Sequence, residues 1–543
     1  MNLLDEPWMP VRLHSGEREW IAPHQLSDAR IAAFDADRAD FNGALAQFAI
    51  GLLQTCTTVD NAIEWRGFFS APPDQTALHA WFEPHRNAFE FDGSGARFMQ
   101  DFDLRATEGE SVAIGSLLIE TPGENTLKNN SDHFVKRGLL NQLCPCCAAL
   151  ALFTLQLNAP SGGAGHRTGL RGGGPLTTLL LAEQGPHSLR SLWHDLWLNV
   201  REREGFLASG GDSSKSAPHH SFPWLASVSA MQTEGGSMAP VQVHPSHVFW
   251  AMPRRIRLDF ETVGSGACDM CGRESDRQVR QYVTRNYGLN YKGAWSHPLS
   301  PYYESKEGWL PLHPQPGGLG YRHWLGWVLG MQNENRKVKR AEVIAQFFEA
   351  QVERRTGVRL RLWAFGYDMD NMKARCWYEA TMPLYALNDC DRQVQKDLGE
   401  EVGSWLTGAE LAASYTRGAV KDAWFGGDAR GDFSFVDSAF WSRTETAFYE
   451  LLRERINAAR QGTPVERQAT AERWRERLRN TALRLFDDEL VGTGPVERQN
   501  PARIAKAHHQ LSMNLNGPKL RGALGLPVKA SAKPTDTKGA KAA

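Results

Sequence analysis

Eight cysteines carry the most specific chemistry in this chain, and four of them fall into two pairs of one spacing. Cys144-Pro145-Cys146-Cys147 and Cys268-Asp269-Met270-Cys271-Gly272 each place two residues between two thiols. A short turn of that length can aim both thiolates at one ion, and two such turns complete a closed, tetrahedral structural zinc site. The expected ligands are Cys144, Cys147, Cys268 and Cys271, with Cys146 spare, so that zinc ties two distant segments together. Four buried, reduced thiols are the alternative that spacing leaves open. A thioredoxin-like redox role fits less well, because neither pair clearly opens a helix after a strand. Four thiolates leave no open coordination position, so the ion would hold structure and hydrolyse nothing.

A second segment offers backbone instead of side chains. Residues 161–174 read Ser-Gly-Gly-Ala-Gly-His-Arg-Thr-Gly-Leu-Arg-Gly-Gly-Gly, a stretch that a partner can approach closely. It lacks the Gly-Lys-Ser/Thr ending of a phosphate-binding P-loop and the Gly-x-Gly-x-x-Gly pattern, so nucleotide hydrolysis is unsupported. Arg167 and Arg171 are in position to reach phosphates, although a plain surface loop has the same composition. Arg280, Arg285 and Lys292 punctuate a stretch with Tyr282, Asn286, Tyr287, Asn290 and Tyr291, a mixture of cations and aromatics that suits nucleic acid or an exposed hairpin. The polar segment 129–138 carries Phe134 beside Lys136 and Arg137. Enzyme signatures are poor: His244, His247, His219 and His220 have no carboxylate at a ligand spacing. Asp368 and Asp370 read as a solvated pair in a turn.

These segments must be positioned by a fold. At 543 residues, two or three domains are expected, and 41% hydrophobic with 23% charged residues is a soluble, foldable composition. A formal net charge of −1 argues against indiscriminate coating of nucleic acid, while leaving local cation arrays open. There is no apolar run of membrane-spanning length and no signal-peptide pattern at Met1–Pro7, so a cytoplasmic protein without membrane contact is expected. The fold class expected is α+β, with a large mixed α/β N-terminal domain (1–390), a C-terminal antiparallel four-helix bundle (391–525) and a disordered tail (526–543). Asp40 reads as the cap of a helix burying Phe41, Leu45, Phe48 and Leu52. Arg255–Leu258 and Arg359–Leu362 alternate like strands, and Gly366–Asn371 reads as a turn. Helices are expected near 393–415 and 498–512 and around Trp441, Phe448, Leu452 and Ile456. A fourth starts from a Thr463 cap and buries Trp474, Leu478, Ala482 and Leu485.

The order of landmarks resembles one known family. Asn2-Leu3-Leu4, Trp8-Met9-Pro10-Val11, Phe98-Met99-Gln100, Cys144–Cys147 running into Ala148–Phe153, and Gly169-Leu170-Arg171-Gly172-Gly173 lead the series. Cys268–Cys271 with Gly272–Ser275, Trp295-Ser296-His297-Pro298 and Gln332–Asn335 complete it. Together they resemble the large subunit of type I-E CRISPR Cascade, the CasA family. The resemblance implies a non-catalytic subunit of a crRNA-guided complex with backbone, 5′-handle-binding and small subunits. Such a subunit recognises the PAM in double-stranded DNA, helps open the duplex for R-loop formation, and recruits a helicase–nuclease. Base pairing reads the long target while protein reads a few base pairs and backbone shape.

Carried over by position, the crRNA-handle and subunit loop falls at 130–140, with Phe134 as anchor and Arg137 beside it. Lys136 stands where the family has Asn. The PAM-reading glycine loop falls at Gly162, Gly163, Ala164 and Gly165, with Ala164 in place of a glycine. The minor-groove lysine is replaced from among Arg285, Asn286 and Lys292. The strand-separating wedge falls at the turn 368–373, where Asn371 and Met372 stand in for its Gln. A zinc-dependent nucleic-acid-processing enzyme, a nuclease or deaminase, is the alternative of a different class.

Overall fold

The computed structural model describes residues 1–528 apart from 58, 106, 131, 133–137, 164, 184–189, 262, 333–336, 351–357, 371–372, 386–389, 426–430, 464–465 and 494–499. Two compact units result. One comprises Met1–Leu319 with Gly326 to residue 386, the other Gly320–Leu325 with the described residues beyond 386. Residues 529–543, most of the expected tail, lie outside the described residues.

The first unit is built on two helices that are apolar nearly all round, as elements at the centre of a large core must be. Ala39–Cys56 and Pro145–Asn158 bury almost every side chain they carry. Phe48 sits edge-on to Trp8 at 5.0 Å, Phe153 at 5.7 Å and Trp250 at 5.8 Å between ring centroids. Such T-shaped contacts suit the ring quadrupole and come in addition to the area buried.

Asp40 does not cap the first helix. Arg38 occupies the N-cap without a side-chain bond, and Asp40 lies inside the first turn. There it is buried, accepting from the Arg38 guanidinium and, at 2.6 Å, from the Tyr367 hydroxyl. Its charge is spent on a long-range network, which took precedence over a local cap.

Small antiparallel sheets frame these helices. Leu360–Asp370 pairs with Lys373–Leu384 on one edge and Thr177–Ala182 on the other. The expected turn over Gly366–Asn371 is therefore mostly strand: Gly366, Tyr367 and Asp368 pair with Tyr378, Trp377 and Cys376. Asp368 is buried and held by Arg375 at 2.7 Å, so it is not a solvated turn acid. Gln281–Arg285 pairs with Arg255–Leu258 and with Glu110–Ala113, while Gly264–Ala267 and Glu274–Gln278 form a separate hairpin. Among the described residues no helix is long and apolar enough to cross a membrane.

The second unit contains the long helices Arg392–Phe425, Ser434–Arg460, Arg467–Arg484 and Pro501–Asn516, which pack on one another as a bundle. Trp405, Phe448, Trp474 and Leu478 are fully buried in it, and the Trp474 indole donates to the Trp405 carbonyl at 3.0 Å. A buried Arg455–Glu401 pair at 2.7 Å adds directional bonding. The third helix starts later than its Thr463 signal. Glu466 is its N-cap, and the Thr463 N–H donates to the Ala458 carbonyl at 2.9 Å, committing Thr463 to the end of the preceding helix.

Candidate metal centre and nucleic-acid interface

Cys144 is the N-cap of Pro145–Asn158, with Pro145 in the first helical position. Its Sγ accepts from the Cys147 N–H at 3.5 Å. The first pair thus opens a helix, but it follows an isolated bridge at Leu143 and not a strand. The second pair forms the knuckle of the hairpin Gly264–Ala267/Glu274–Gln278. Cys268 N–H donates to the Arg273 carbonyl and Gly272 N–H to the Cys268 carbonyl, each at 2.9 Å. Gly272 has φ +72°, a conformation few residues other than glycine adopt at low cost. Leu143 and Val279 exchange backbone bonds at 3.0 and 2.7 Å, and Asp269 accepts from the Asn141 and Gln142 N–H groups. These bonds stitch the two segments together beside the thiols.

The four sulfurs lie within 4.8 Å of one another, and Cys144, Cys147 and Cys268 are buried. Cys144 and Cys271 Sγ are 3.7 Å apart, which matches the edge of a tetrahedron with metal–sulfur bonds of about 2.3 Å. Hydrogen bonds among the thiols drive their acidities apart: Cys268 falls far below the ordinary range, Cys147 and Cys271 rise well above it, and Cys144 rises to about 12. Such a crowd cannot hold four negative charges by itself. A divalent cation removes the conflict by taking up the thiolates as they lose their protons. The quartet can hold a metal ion, and Cys146, beside Arg273 at 3.9 Å, stays outside it.

Some of the expected interface residues are brought together. Gly165, at φ +82°, accepts at its carbonyl from the Tyr287 N–H at 2.9 Å. A Cβ at Gly165 would stand 2.7 Å from Asn286 Cβ, so the two segments meet with no room for a side chain. Gly163 is exposed with nothing within 4 Å of its Cβ position, while a Cβ on Gly162 would strike His166. Arg285, Asn286 and Lys292 are all exposed. The stretch carrying them is anchored from below: Lys292 N–H donates to the Met238 carbonyl at 3.0 Å, and the Tyr291 hydroxyl accepts from Met252 N–H at 2.8 Å. Phe134, Lys136, Arg137, Ala164, Asn371 and Met372 lie outside the described residues.

Two expectations about cations change. Arg171 reaches no phosphate: it is 3% exposed and donates to Gln47, Thr177 and Ser300 side chains. Burial lowers its pKa to about 10. Arg167 stacks on Tyr287, 5.6 Å from the ring centroid, and donates to the Thr233 and Glu234 carbonyls. Sequence reasoning missed Arg254, whose doublet with Arg255 reads only as the start of a strand. His247 is no metal ligand among the described residues; it is buried between the His220 carbonyl and the Tyr291 hydroxyl.

A family model for CRISPR-associated protein Cse1 matches residues 2–485. Thermus thermophilus CasA (Cse1) has a similar structure, with a TM-score of 0.67 over 97% of this chain and 99% of its own at 16% identity. Cse1 from Acidimicrobium ferrooxidans gives 0.63 over 97% and 98% at 17% identity. A chain of a CRISPR RNA-guided surveillance complex gives 0.67 over 95% and 99% at 16% identity. At such identities the structures speak for fold, and the family model for membership. The chain belongs to the CRISPR-associated protein Cse1 (CasA) family, that of the large subunit of type I-E Cascade.

Proposed function

We propose that this chain is a non-catalytic subunit of a cytoplasmic, crRNA-guided Cascade complex that recognises the PAM in double-stranded DNA. The observation that carries the reading is the meeting of Gly165 with Asn286 and Tyr287. Gly165 is packed against exposed Asn286, exposed Gly163 lies two residues from that contact, and exposed Arg285 and Lys292 flank Asn286 along the chain. Backbone without side chains at Gly162 and Gly163 suits entry into a narrow groove, and the exposed cations Arg285 and Lys292 suit the phosphates that flank it. Minor-groove readout separates base pairs coarsely, which fits tolerance of several PAMs.

In this reading the ion held by Cys144, Cys147, Cys268 and Cys271 is structural zinc. Four sulfur ligands close its coordination sphere, which weighs against a zinc-dependent nuclease or deaminase. The mixed domain (1–390) reads the PAM, and Phe134, Lys136 and Arg137 face crRNA, the duplex or a neighbouring subunit. Asn371 and Met372 wedge into the first base pair beyond the PAM. The bundle (391–525) and tail (526–543) complete the subunit, and the assembled complex recruits the helicase–nuclease.

The wedge has its own test. Unstacking one step costs a few kcal/mol, which an inserted side chain offsets. Replacing Asn371→Gly together with Met372→Gly should slow R-loop formation on fully paired DNA, and much less on a target with its first protospacer pairs already mismatched. Equal slowing on both would remove the wedge from this account.

A further inference from the structure

Arg254 spans the mouth of the glycine loop. Its Nη2 donates to the Pro160 carbonyl at one end, and its Nη1 lies 2.6 Å from His166 Nδ1 at the other. The backbone on either side is fixed by Gln156, which accepts from the Arg254 N–H at 2.9 Å and donates to its carbonyl at 3.0 Å. One guanidinium therefore closes the segment 160–166 into a loop standing on Pro145–Asn158.

The cation is also uncompensated. Among the described residues no carboxylate pairs with Arg254, and its Nε is buried without a hydrogen-bond partner. Burial lowers its pKa to about 10, which still leaves it charged at neutral pH. Partial burial and the charge of Arg254 hold His166 below the ordinary imidazole range, so His166 serves as neutral acceptor. A partly buried charge without a counter-ion is costly, and a polyanion laid over the loop relieves it.

We propose that Arg254 is the positioning residue of the PAM-reading loop, with His166 as its second anchor, and that its unpaired charge draws the DNA backbone onto that loop. The inference rests on the proposed function and adds two separable roles, one of geometry and one of charge. Only a planar, multidentate guanidinium can bridge both ends of the loop, whereas lysine keeps the charge alone.

The test uses the assembled crRNA-loaded complex with duplexes that carry or lack a PAM, titrated over a range of salt. Arg254→Gln should weaken PAM-duplex binding about tenfold and lower the salt slope by about one. Arg254→Lys should keep the wild-type slope and lose PAM discrimination. His166→Ala, a milder change that leaves the core alone, should also lose discrimination at unchanged slope. Wild-type discrimination and slope in all three variants would overturn the proposal, as would a uniform loss of binding that merely follows a lower Tm. A wild-type complex indifferent to the PAM would instead bring down the reading of function on which the proposal rests, and the two failures are told apart by that control.

Discussion

At the cysteine quartet and at the glycine loop, the same two stretches of chain meet. The separation from Cys147 to Cys268 is 268 − 147 = 121 residues, and from Gly165 to Asn286 it is 286 − 165 = 121 residues. The first meeting is closed by side chains directed at one another, with three of the four cysteines buried. The second is made by backbone, with one carbonyl accepting from Tyr287 and no room for a Cβ, and it leaves Gly163 open to a partner. The difference teaches where rigidity is built. The quartet holds the pairing of the two stretches, and the glycine loop uses that pairing to present bare backbone.

If that division holds, the largest effect belongs to the quartet. Cys268→Ser should lose the ion and at least several kcal/mol of stability, against the roughly 10–16 kcal/mol that structural zinc contributes in small zinc peptides. Metal analysis should find about one zinc per wild-type chain, and thermal melts should show the variant loosened. Metal-free protein with an unchanged Tm would break the comparison at its firmer end.

Acid comes next, through the floor under Arg285–Lys292. Burial holds His247 near a pKa of about 4, against about 6.5 for free imidazole. The folded state therefore refuses a proton that the unfolded state accepts. Stability is full above pH 6.5 and falls as pH drops toward 4, by about 3 kcal/mol from this group at most. Denaturant melts over that range should show a shallower fall for His247→Gln than for wild type. Parallel curves would show that His247 does not carry the acid sensitivity.

Smaller still is the backbone term. Gly165→Ala forces a side chain into positive φ and against Asn286, which should cost about 1–2 kcal/mol in melts and weaken PAM binding with it. Arg285→Ala and Lys292→Ala should each cost on the order of 1 kcal/mol or less in binding and lower the salt slope, without touching stability. Losing stability instead would make these two residues scaffold.

How much of this was legible in the sequence follows from the same contrast. A Cys-x-x-Cys spacing is chemistry written into residue types, so all four members of the quartet could be named before any coordinates. Burial is not written that way. Arg171 and Asp368 look like surface charges because the residues that bury and satisfy them, Gln47, Ser300 and Arg375, are chosen by tertiary packing. Asp40 and Thr463 carry good capping chemistry that a distant hydroxyl and a preceding helix claim first. The bundle was readable because its 3.6-residue periodicity buries Trp474, Leu478 and Ala482 together. Arg254 was not, since its importance lies in bridging Pro160 and His166, which lie far from it along the chain.

The central claim, that this subunit reads the PAM through its glycine loop, is tested most directly at Gly163. Nothing stands within 4 Å of its Cβ position, so Gly163→Phe should leave the fold and metal content intact. Equilibrium binding of the assembled complex to PAM and non-PAM duplexes should then show PAM-duplex affinity falling by 1–3 kcal/mol, roughly five- to two-hundredfold, toward the non-PAM value. Gly163→Phe complex that keeps wild-type affinity for both duplexes, with wild type itself discriminating between them, would contradict the account.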